Sequence, residues 1–181
     1  MSEANRLRAA GDQALGRGDL DGAWGAYTQG LAAPAISDAE SGELRLARAW
    51  VCQARGGRDA AEIEVSEAIL CFARAGAADR HSAALEQRGH LRWTRAHQRL
   101  DHADHADHAH AHDHRLDDPD DRDLQGAWAD LSAALVEADP RRRPVLLTTL
   151  ARLRHCIANA SRLEDTMQAT PPHSSHVTFA R

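Results

Sequence analysis

Small and apolar residues recur every three or four positions along most of the chain. This spacing places side chains on one face of an α-helix. Near the N-terminus it is carried by Leu7, Gly11 and Ala14. Near the C-terminus it is carried by Leu146, Leu150, Leu153 and Ile157. A composition rich in alanine, leucine and charged residues also favours helix over strand. The pattern therefore predicts an all-α fold.

Two segments of the chain resemble each other. Residues 16–34 and 120–140 both contain Asp-Leu-x-Gly-Ala-Trp, followed by leucine and proline. In the first copy, Gly18 and Asp19 are suited to end one helix and cap the next. A weaker copy covers residues 42–75, where Gly56 and Gly57 are expected to form the turn. Internal repeats of this length indicate a helical repeat protein.

The first repeat carries the most specific motif. Its characteristic residues are Leu7, Gly11, Ala14, Ala23, Tyr27, Leu31 and Pro34. This pattern resembles the tetratricopeptide repeat (TPR), in which small residues let two antiparallel helices approach closely. The resemblance implies a right-handed superhelix of three helix pairs plus a C-terminal capping helix.

The resemblance and the repeat spacing together define the expected domain organisation. We predict one helical domain over residues 4–165. Its three repeats cover about 4–37, 42–75 and 82–142, and the capping helix covers about 144–165. The polar remainder, 166–181, is expected to be a disordered tail.

The third repeat is longer than the others. Gly11 and Ala23 are 12 positions apart, and so are Ala49 and Ala61, whereas Gly89 and Ala127 are 38 positions apart. The excess of 26 residues predicts an insertion at 96–121, between the two helices of the third repeat. This insertion contains the repetitive sequence DHADHADHAHAHDH.

The insertion is rich in histidine and aspartate, which suit Zn, Ni or Cu. The candidate metal ligands are His102, His105, His108, His110, His112 and His114. No spacing among them fixes a coordination geometry, so any uptake of Zn or Ni would be adventitious, and no cofactor is expected. Two other interpretations remain open: a low-complexity loop without function, and a charge switch that responds to pH.

The segments GDLDGAWGAYTQGLA and AEIEVSEAI resemble the three-repeat domain of Hsp70/Hsp90 co-chaperones and of UCS-type myosin chaperones. That resemblance implies a groove that clamps the C-terminal carboxylate of a chaperone tail with Lys, Asn and Arg side chains. At the corresponding positions this chain has Arg8, Asp12, Ala47, Ala83 and Gln87. One positive charge is kept and one negative charge is added, so we expect the clamp to be lost.

Placing the first helices of the repeats in register gives a different set of groove residues. These are Arg8, Asp12, Glu43, Trp50, Gln53, Glu86, His90 and Trp93. Trp50 and Trp93 could anchor an apolar ligand side chain or could pack in the core. Trp24 and Trp128 lie on the second helices and are expected to be packing residues.

Charge and composition narrow the function further. The net charge of −5 disfavours a nucleic-acid surface, and no apolar run is long enough for a membrane span. The three cysteines form no CxxC pair, which favours a reducing, cytoplasmic location. No catalytic motif is present. The sequence thus predicts a non-enzymatic adaptor or co-chaperone-like module that binds a protein or peptide partner, with a chaperone or chaperone client among the candidates. The alternative is a divalent-metal-binding protein.

Overall fold

The computed structural model describes residues 1–103 and 119–169, with side chains at 1–99 and 122–158. Within these ranges the chain forms seven α-helices and no strand. The helices are α1 (Glu3–Gly16), α2 (Leu20–Leu31), α3 (Asp38–Ala54), α4 (Arg58–Ala75), α5 (Ala78–Ala103), α6 (Pro119–Glu137) and α7 (Arg143–Ala169). No helix in these ranges is both long enough and apolar enough to cross a bilayer.

The helices pack as successive pairs. α1 packs against α2, α3 against α4, and α5 against α6, while α7 packs against α6. Neighbouring pairs are joined through the contacts of α2 with α3 and of α4 with α5. The predicted all-α, TPR-like arrangement of three helix pairs and a final helix is confirmed.

The turns within the first two pairs form where the sequence places them. Asp19 is the N-cap of α2, and its carboxylate accepts a hydrogen bond of 2.8 Å from the backbone N–H of Gly22. Between α3 and α4, Gly56 has a φ of +79°, a conformation that side chains with a β-carbon rarely adopt. Both predicted helix–turn–helix units are therefore confirmed.

Trp24 joins the two hydrophobic clusters that form the core. One cluster lies around Tyr27 in the first repeats, and the other extends around Phe72 and Leu131 to α7. The partly buried Trp24 packs against both. The guanidinium of Arg48 lies 3.9 Å from the centroid of the Trp24 ring, close enough for a cation–π interaction. The predicted packing role thus fits Trp24, whereas Trp128 of α6 is 38% exposed and is not a core residue.

The helices of the third repeat extend into the range predicted as an insertion. α5 continues through Ala96, which is buried in the core, and ends at Ala103, while α6 begins at Pro119. The predicted boundaries of 96 and 121 are thus too wide. No glycine or proline occurs between residues 90 and 103 to end the helix. In addition, Arg95 of α5 forms an ion pair with Asp123 of α6, which ties this part of α5 to the fold.

Arginines on α5 connect three helices through ion pairs. Asp130 of α6 accepts hydrogen bonds from Arg88, at 2.6 and 2.9 Å, and from Arg92, at 3.2 Å. Arg92 also lies 2.7 Å from Glu62 of α4, and Arg95 lies 2.8 Å from the other oxygen of Glu62. This network fixes the rotation of α5 about its axis, and so determines which α5 residues face α3.

The final helix covers the end of the third repeat. Leu146 and Leu153 are fully buried, and α7 packs against α6, as the predicted capping role requires. The helix is longer than the predicted range of 144–165, because it ends at Ala169. Residues 166–169 are therefore helical rather than part of a disordered tail, and residues 170–181 lie outside the described residues.

Candidate functional site

A cavity of about 600 Å³ lies between α3 and α5. α3 contributes Trp50 and Gln53, and α5 contributes Glu86, Gln87 and His90 among others. Arg58, the first residue of α4, and Arg142, the residue before α7, also line it. Helices of two successive repeats and the start of the final helix thus form one groove, which we call the Trp50 groove.

Trp50 is the most exposed aromatic side chain among the described residues that line the groove, with 59% of its surface accessible. Its neighbours in α3, Ala49 and Val51, are both fully buried, so the helix is firmly packed while Trp50 projects outward. Trp50 thus presents an aromatic surface to solvent, and tryptophan is one of the residue types enriched among the hot spots of interfaces.

Trp93 has a different role. It is partly buried and packs against the larger hydrophobic cluster, and it does not line the Trp50 groove. The ring of Trp93 stacks on the ring of His90, with the two centroids 6.2 Å apart. Trp93 therefore contacts the groove through His90. Of the two interpretations of these tryptophans, an exposed anchor fits Trp50 and core packing fits Trp93.

Two amide side chains of the groove have buried nitrogen atoms without a hydrogen-bond partner. They are Gln53 on α3 and Gln87 on α5, and in each the Nε2 atom is buried. A buried polar atom that is left unsatisfied costs about 1–3 kcal/mol. Because both side chains line the same groove, a ligand with hydrogen-bond acceptors could satisfy both donors.

The charges of the groove are partly neutralised within the protein. Glu86 forms an ion pair with Arg142, and the Nε2 atom of His90 lies 3.8 Å from its other oxygen. His90 and the charge of Arg142 hold the pKa of Glu86 below its ordinary value, although burial opposes this shift. Glu86 is therefore ionised and already paired at neutral pH.

Among the described residues, Arg58 is the groove cation that lacks a carboxylate partner. It donates a hydrogen bond to the neutral side-chain oxygen of Gln98 instead. Arg58 also lines a second cavity of about 410 Å³, together with Asp59, Arg95 and Arg99. The two cavities therefore meet at Arg58.

Arg8, Asp12 and Glu43 of the predicted set lie outside the Trp50 groove. They are at the other end of the surface that the first helices of the three repeats form, which we call the α1–α3–α5 surface. Arg8 lies 3.1 Å from Glu43 and 3.9 Å from Asp12, and Arg80 lies 2.9 Å from Glu43. The hydroxyl of Tyr27 donates a hydrogen bond of 2.8 Å to Asp12. The predicted set thus divides into an internally paired cluster of Arg8, Asp12 and Glu43 and an open groove around Trp50.

Six residues of the groove lining are absent from the set that the repeat register predicts: Arg58, Ala83, Gln87, Leu91, Thr94 and Arg142. Gln87 stands at one of the positions compared with the co-chaperone clamp, and Arg142 lies in the turn before α7. Arg58 directly follows the Gly56–Gly57 turn, at the start of a second helix rather than on a first helix. Arg58 and Arg142 both lie beside turns in the sequence. Residues beside turns border the groove that the helices form, so this position could have identified both arginines.

The candidate metal ligands fall largely outside the described residues. His105, His108, His110, His112 and His114 all lie between α5 and α6, and His102 lies in the last turn of α5, beyond the described side chains. In the part of the chain whose side chains are described, no group of three His, Cys, Asp or Glu residues could hold a metal ion.

The cysteines of the core are poorly suited to nucleophilic chemistry. Cys52 and Cys71 are buried and form no disulfide. Burial, followed by the negative charge of Glu64, raises the pKa of the Cys52 thiol. A buried thiol with a raised pKa is largely protonated at neutral pH and is a weak nucleophile.

Comparison of the whole fold places the chain among TPR-like helical repeat domains. It is similar to the first TPR domain of Spaghetti (RPAP3) bound to the HSP90 peptide SRMEEVD, with a TM-score of 0.57 and 17% sequence identity. The match covers 86% of this chain and 94% of that one. No protein-family model matches the sequence, and no curated protein sequence matches it significantly.

Proposed function

We propose that this chain is a non-enzymatic protein–protein interaction module, an adaptor or co-chaperone-like domain, that binds a peptide of a partner protein in the Trp50 groove. The observation that carries the proposal is Trp50 itself, which is 59% exposed on a helix whose adjacent residues are fully buried. TPR-like folds serve as scaffolds for protein interaction, and the similar Spaghetti domain holds an HSP90 peptide.

The proposal includes the loss of the carboxylate clamp. Arg8, at the position of a clamp lysine, already contacts the carboxylate of Glu43 at 3.1 Å. Asp12, at the position of a clamp asparagine, is an acceptor that is hydrogen-bonded to Tyr27. A free C-terminal carboxylate would have to displace Glu43 and approach Asp12. Charge repulsion and the lost internal pair both oppose this.

A chaperone or a chaperone client remains within the proposed partner class. Such a partner would be bound through side chains and backbone in the Trp50 groove rather than through a terminal carboxylate. The reasons are that Trp50 offers apolar contact area and that the lining includes the donor groups of Arg58, Gln53 and Gln87.

Affinity capture from the native cell, followed by mass spectrometry, tests the binding site. Wild type, Trp50→Ala and Trp128→Ala are compared. Trp128 is a matched control because it is also partly exposed but lines a different cavity, between α6 and α7. We expect specific partners to be lost with Trp50→Ala and retained with Trp128→Ala. An identical set of partners for all three proteins would contradict the proposed site.

Calorimetry tests the clamp separately. The peptide SRMEEVD is titrated into the full chain with a free C-terminus and with an amidated one. We expect no gain from the free carboxylate, so that any binding through the side chains of the peptide is equal for the two forms. Tight binding that disappears on amidation would show that the clamp is retained, and would leave the interaction function itself intact.

A further inference from the structure

We infer that the Trp50 groove selects an internal acidic segment of its partner, in which an apolar side chain packs on Trp50 beside a carboxylate that pairs with Arg58. This inference rests on the proposed function and names the class of peptide. The segment is internal to the partner's chain, so its recognition does not depend on a terminal carboxylate.

The hydrogen-bonding groups of the groove favour a ligand that has several hydrogen-bond acceptors. The Nε2 atoms of Gln53 and Gln87 are buried donors without partners. Glu86, the one carboxylate of the described lining, is already engaged by Arg142. An extended peptide presents a backbone carbonyl at every residue, and two such carbonyls can accept from the two amides. A ligand lacking acceptors would leave both donors unsatisfied.

The charges of the groove favour a negatively charged ligand group near Arg58. The described lining contains two arginines and one glutamate, which gives 2 − 1 = +1 with histidine neutral. Since Arg142 is paired with Glu86, the excess positive charge resides on Arg58. In the adjoining cavity Arg95 pairs with Asp59 and Asp123, and Arg99 lies 3.2 Å from Asp123, so these two arginines are already matched by carboxylates of the protein. A charge-assisted hydrogen bond from Arg58 to a ligand carboxylate is therefore favoured.

The apolar part of the ligand is placed by Trp50. Its exposed indole and Arg58 line the same cavity, so an apolar side chain on Trp50 and a carboxylate on Arg58 belong to nearby ligand residues. Exposed tryptophans that become buried on binding contribute strongly to affinity. Leu91, which is buried, also lines the cavity and adds apolar surface to its floor.

The opposite end of the α1–α3–α5 surface explains why the recognised segment need not be a chain terminus. There, Glu43 lies between Arg8 and Arg80, and Asp12 lies beside Arg8. These two arginines are matched by two carboxylates of the protein itself. A ligand carboxylate gains little there, so acidic selection is confined to the Arg58 end of the surface.

Selection from a library of capped peptides tests the inference. The peptides are acetylated and amidated, with the central positions randomised, and they are selected on the full chain. We expect the selected peptides to combine Asp or Glu with a neighbouring apolar residue. The affinity of the best peptide is then measured with wild type, Arg58→Gln and the control Arg17→Gln. Arg17 is exposed at the end of α1 and lines neither cavity.

We expect Arg58→Gln to weaken binding by about tenfold or more, since hydrogen bonds to charged groups are the stronger ones, and Arg17→Gln to leave it unchanged. The double variant Gln53→Met/Gln87→Met should bind more weakly and yet unfold at a higher temperature, because two unsatisfied buried amides are removed. A purely structural role for these glutamines would not lower affinity while raising stability.

Other outcomes separate the inference from the proposed function. If the selected peptides are neutral or basic and their binding needs Trp50 but not Arg58, acidic selection is wrong while the interaction function stands. If an inorganic polyphosphate competes as well as the acidic peptide, the groove is a general anion site and the inference is wrong. If no peptide is selected on the folded chain, the proposed function fails as well.

Discussion

Gly11 of α1 lies directly against the ring of Tyr27 of α2. A β-carbon at position 11 would be 2.6 Å from the Cδ1 atom of Tyr27, which is closer than two carbon atoms can approach without rearrangement. Tyr27 is itself completely buried, so the ring has little room to move away. This contact sets the distance between the two helices of the first repeat.

Gly11→Ala should therefore destabilise the protein by about 1–3 kcal/mol, the usual cost of overpacking a core. Gly25→Ala is the matched control, because Gly25 lies inside α2 and a β-carbon there would have no neighbouring atom within 4 Å. At that position the better helix propensity of alanine should stabilise by about 0.5–1 kcal/mol. Urea unfolding followed by circular dichroism measures both, and equal effects of the two variants would show that the contact is unimportant.

The ionisation of Tyr27 should be shifted to high pH. Burial is the main cause, and the hydrogen bond to Asp12 and the negative charge of Asp12 add to it, so the pKa of Tyr27 is raised above its ordinary value of 10.0. The protonated phenol is then favoured in the folded state. Its contribution to stability is complete below the ordinary pKa and is lost as the pH rises from there towards the folded pKa.

Tyr27 is the single tyrosine of the chain, so near-ultraviolet absorbance reports its titration alone. We expect little tyrosinate signal in the folded protein at the ordinary pKa of tyrosine, and a falling stability above that pH. Asp12→Asn should move the titration to lower pH by removing the negative charge while burial still acts. A wild-type midpoint at the ordinary value would contradict the buried, hydrogen-bonded geometry.

Among the charged residues of the described chain, Asp130 should be one of those whose replacement destabilises the fold most. Its side chain is 6% exposed and pairs with Arg88 and Arg92. Removing one partner of a buried ion pair leaves the other charge uncompensated, so Asp130→Asn should cost about 3–5 kcal/mol. Asp21→Asn provides the comparison, because Asp21 pairs with Arg55 but is 97% exposed. Its loss should cost about 1 kcal/mol or less.

Thermal and urea unfolding of these two aspartate variants distinguish a buried network from surface pairing. The loss for Asp21→Asn should shrink with added salt, whereas that for Asp130→Asn should persist, since buried pairs are screened less. Similar, salt-sensitive losses for both variants would mean that the network on α5 does not hold the third repeat together.

The histidine-rich segment allows a test of the metal-binding alternative. We predict that replacing His102, His105, His108, His110, His112 and His114 by alanine abolishes uptake of Zn or Ni, measured by calorimetry on the full chain. Imidazole is a common ligand of these metals. The unfolding temperature in the absence of metal should not change. Loss of partner capture by the same variant would show that this segment takes part in the interaction function.

The sequence by itself determined the helical repeat architecture, because periodicity and small residues report directly on how helices pack with their sequence neighbours. Gly11 contacts Tyr27 and Asp19 contacts Gly22, and both contacts join residues that lie close in sequence. A small residue in a helix pair and a capping residue after a turn can both be recognised from the sequence. The same local information located the extra length of the third repeat. It did not locate where α5 ends, because helix ends lacking glycine or proline depend on what the last turns contact.

Only the tertiary structure decided which groove residues remain available to a ligand. Arg8 and Trp50 fit the same repeat register, yet Arg8 is paired with Glu43 while Trp50 is exposed to solvent. A similar contrast separates Arg142, which is paired with a carboxylate, from Arg58, which is bonded to an amide. Whether a charge is paired depends on distances between different helices. Those distances are set by packing, which no local pattern in the sequence encodes.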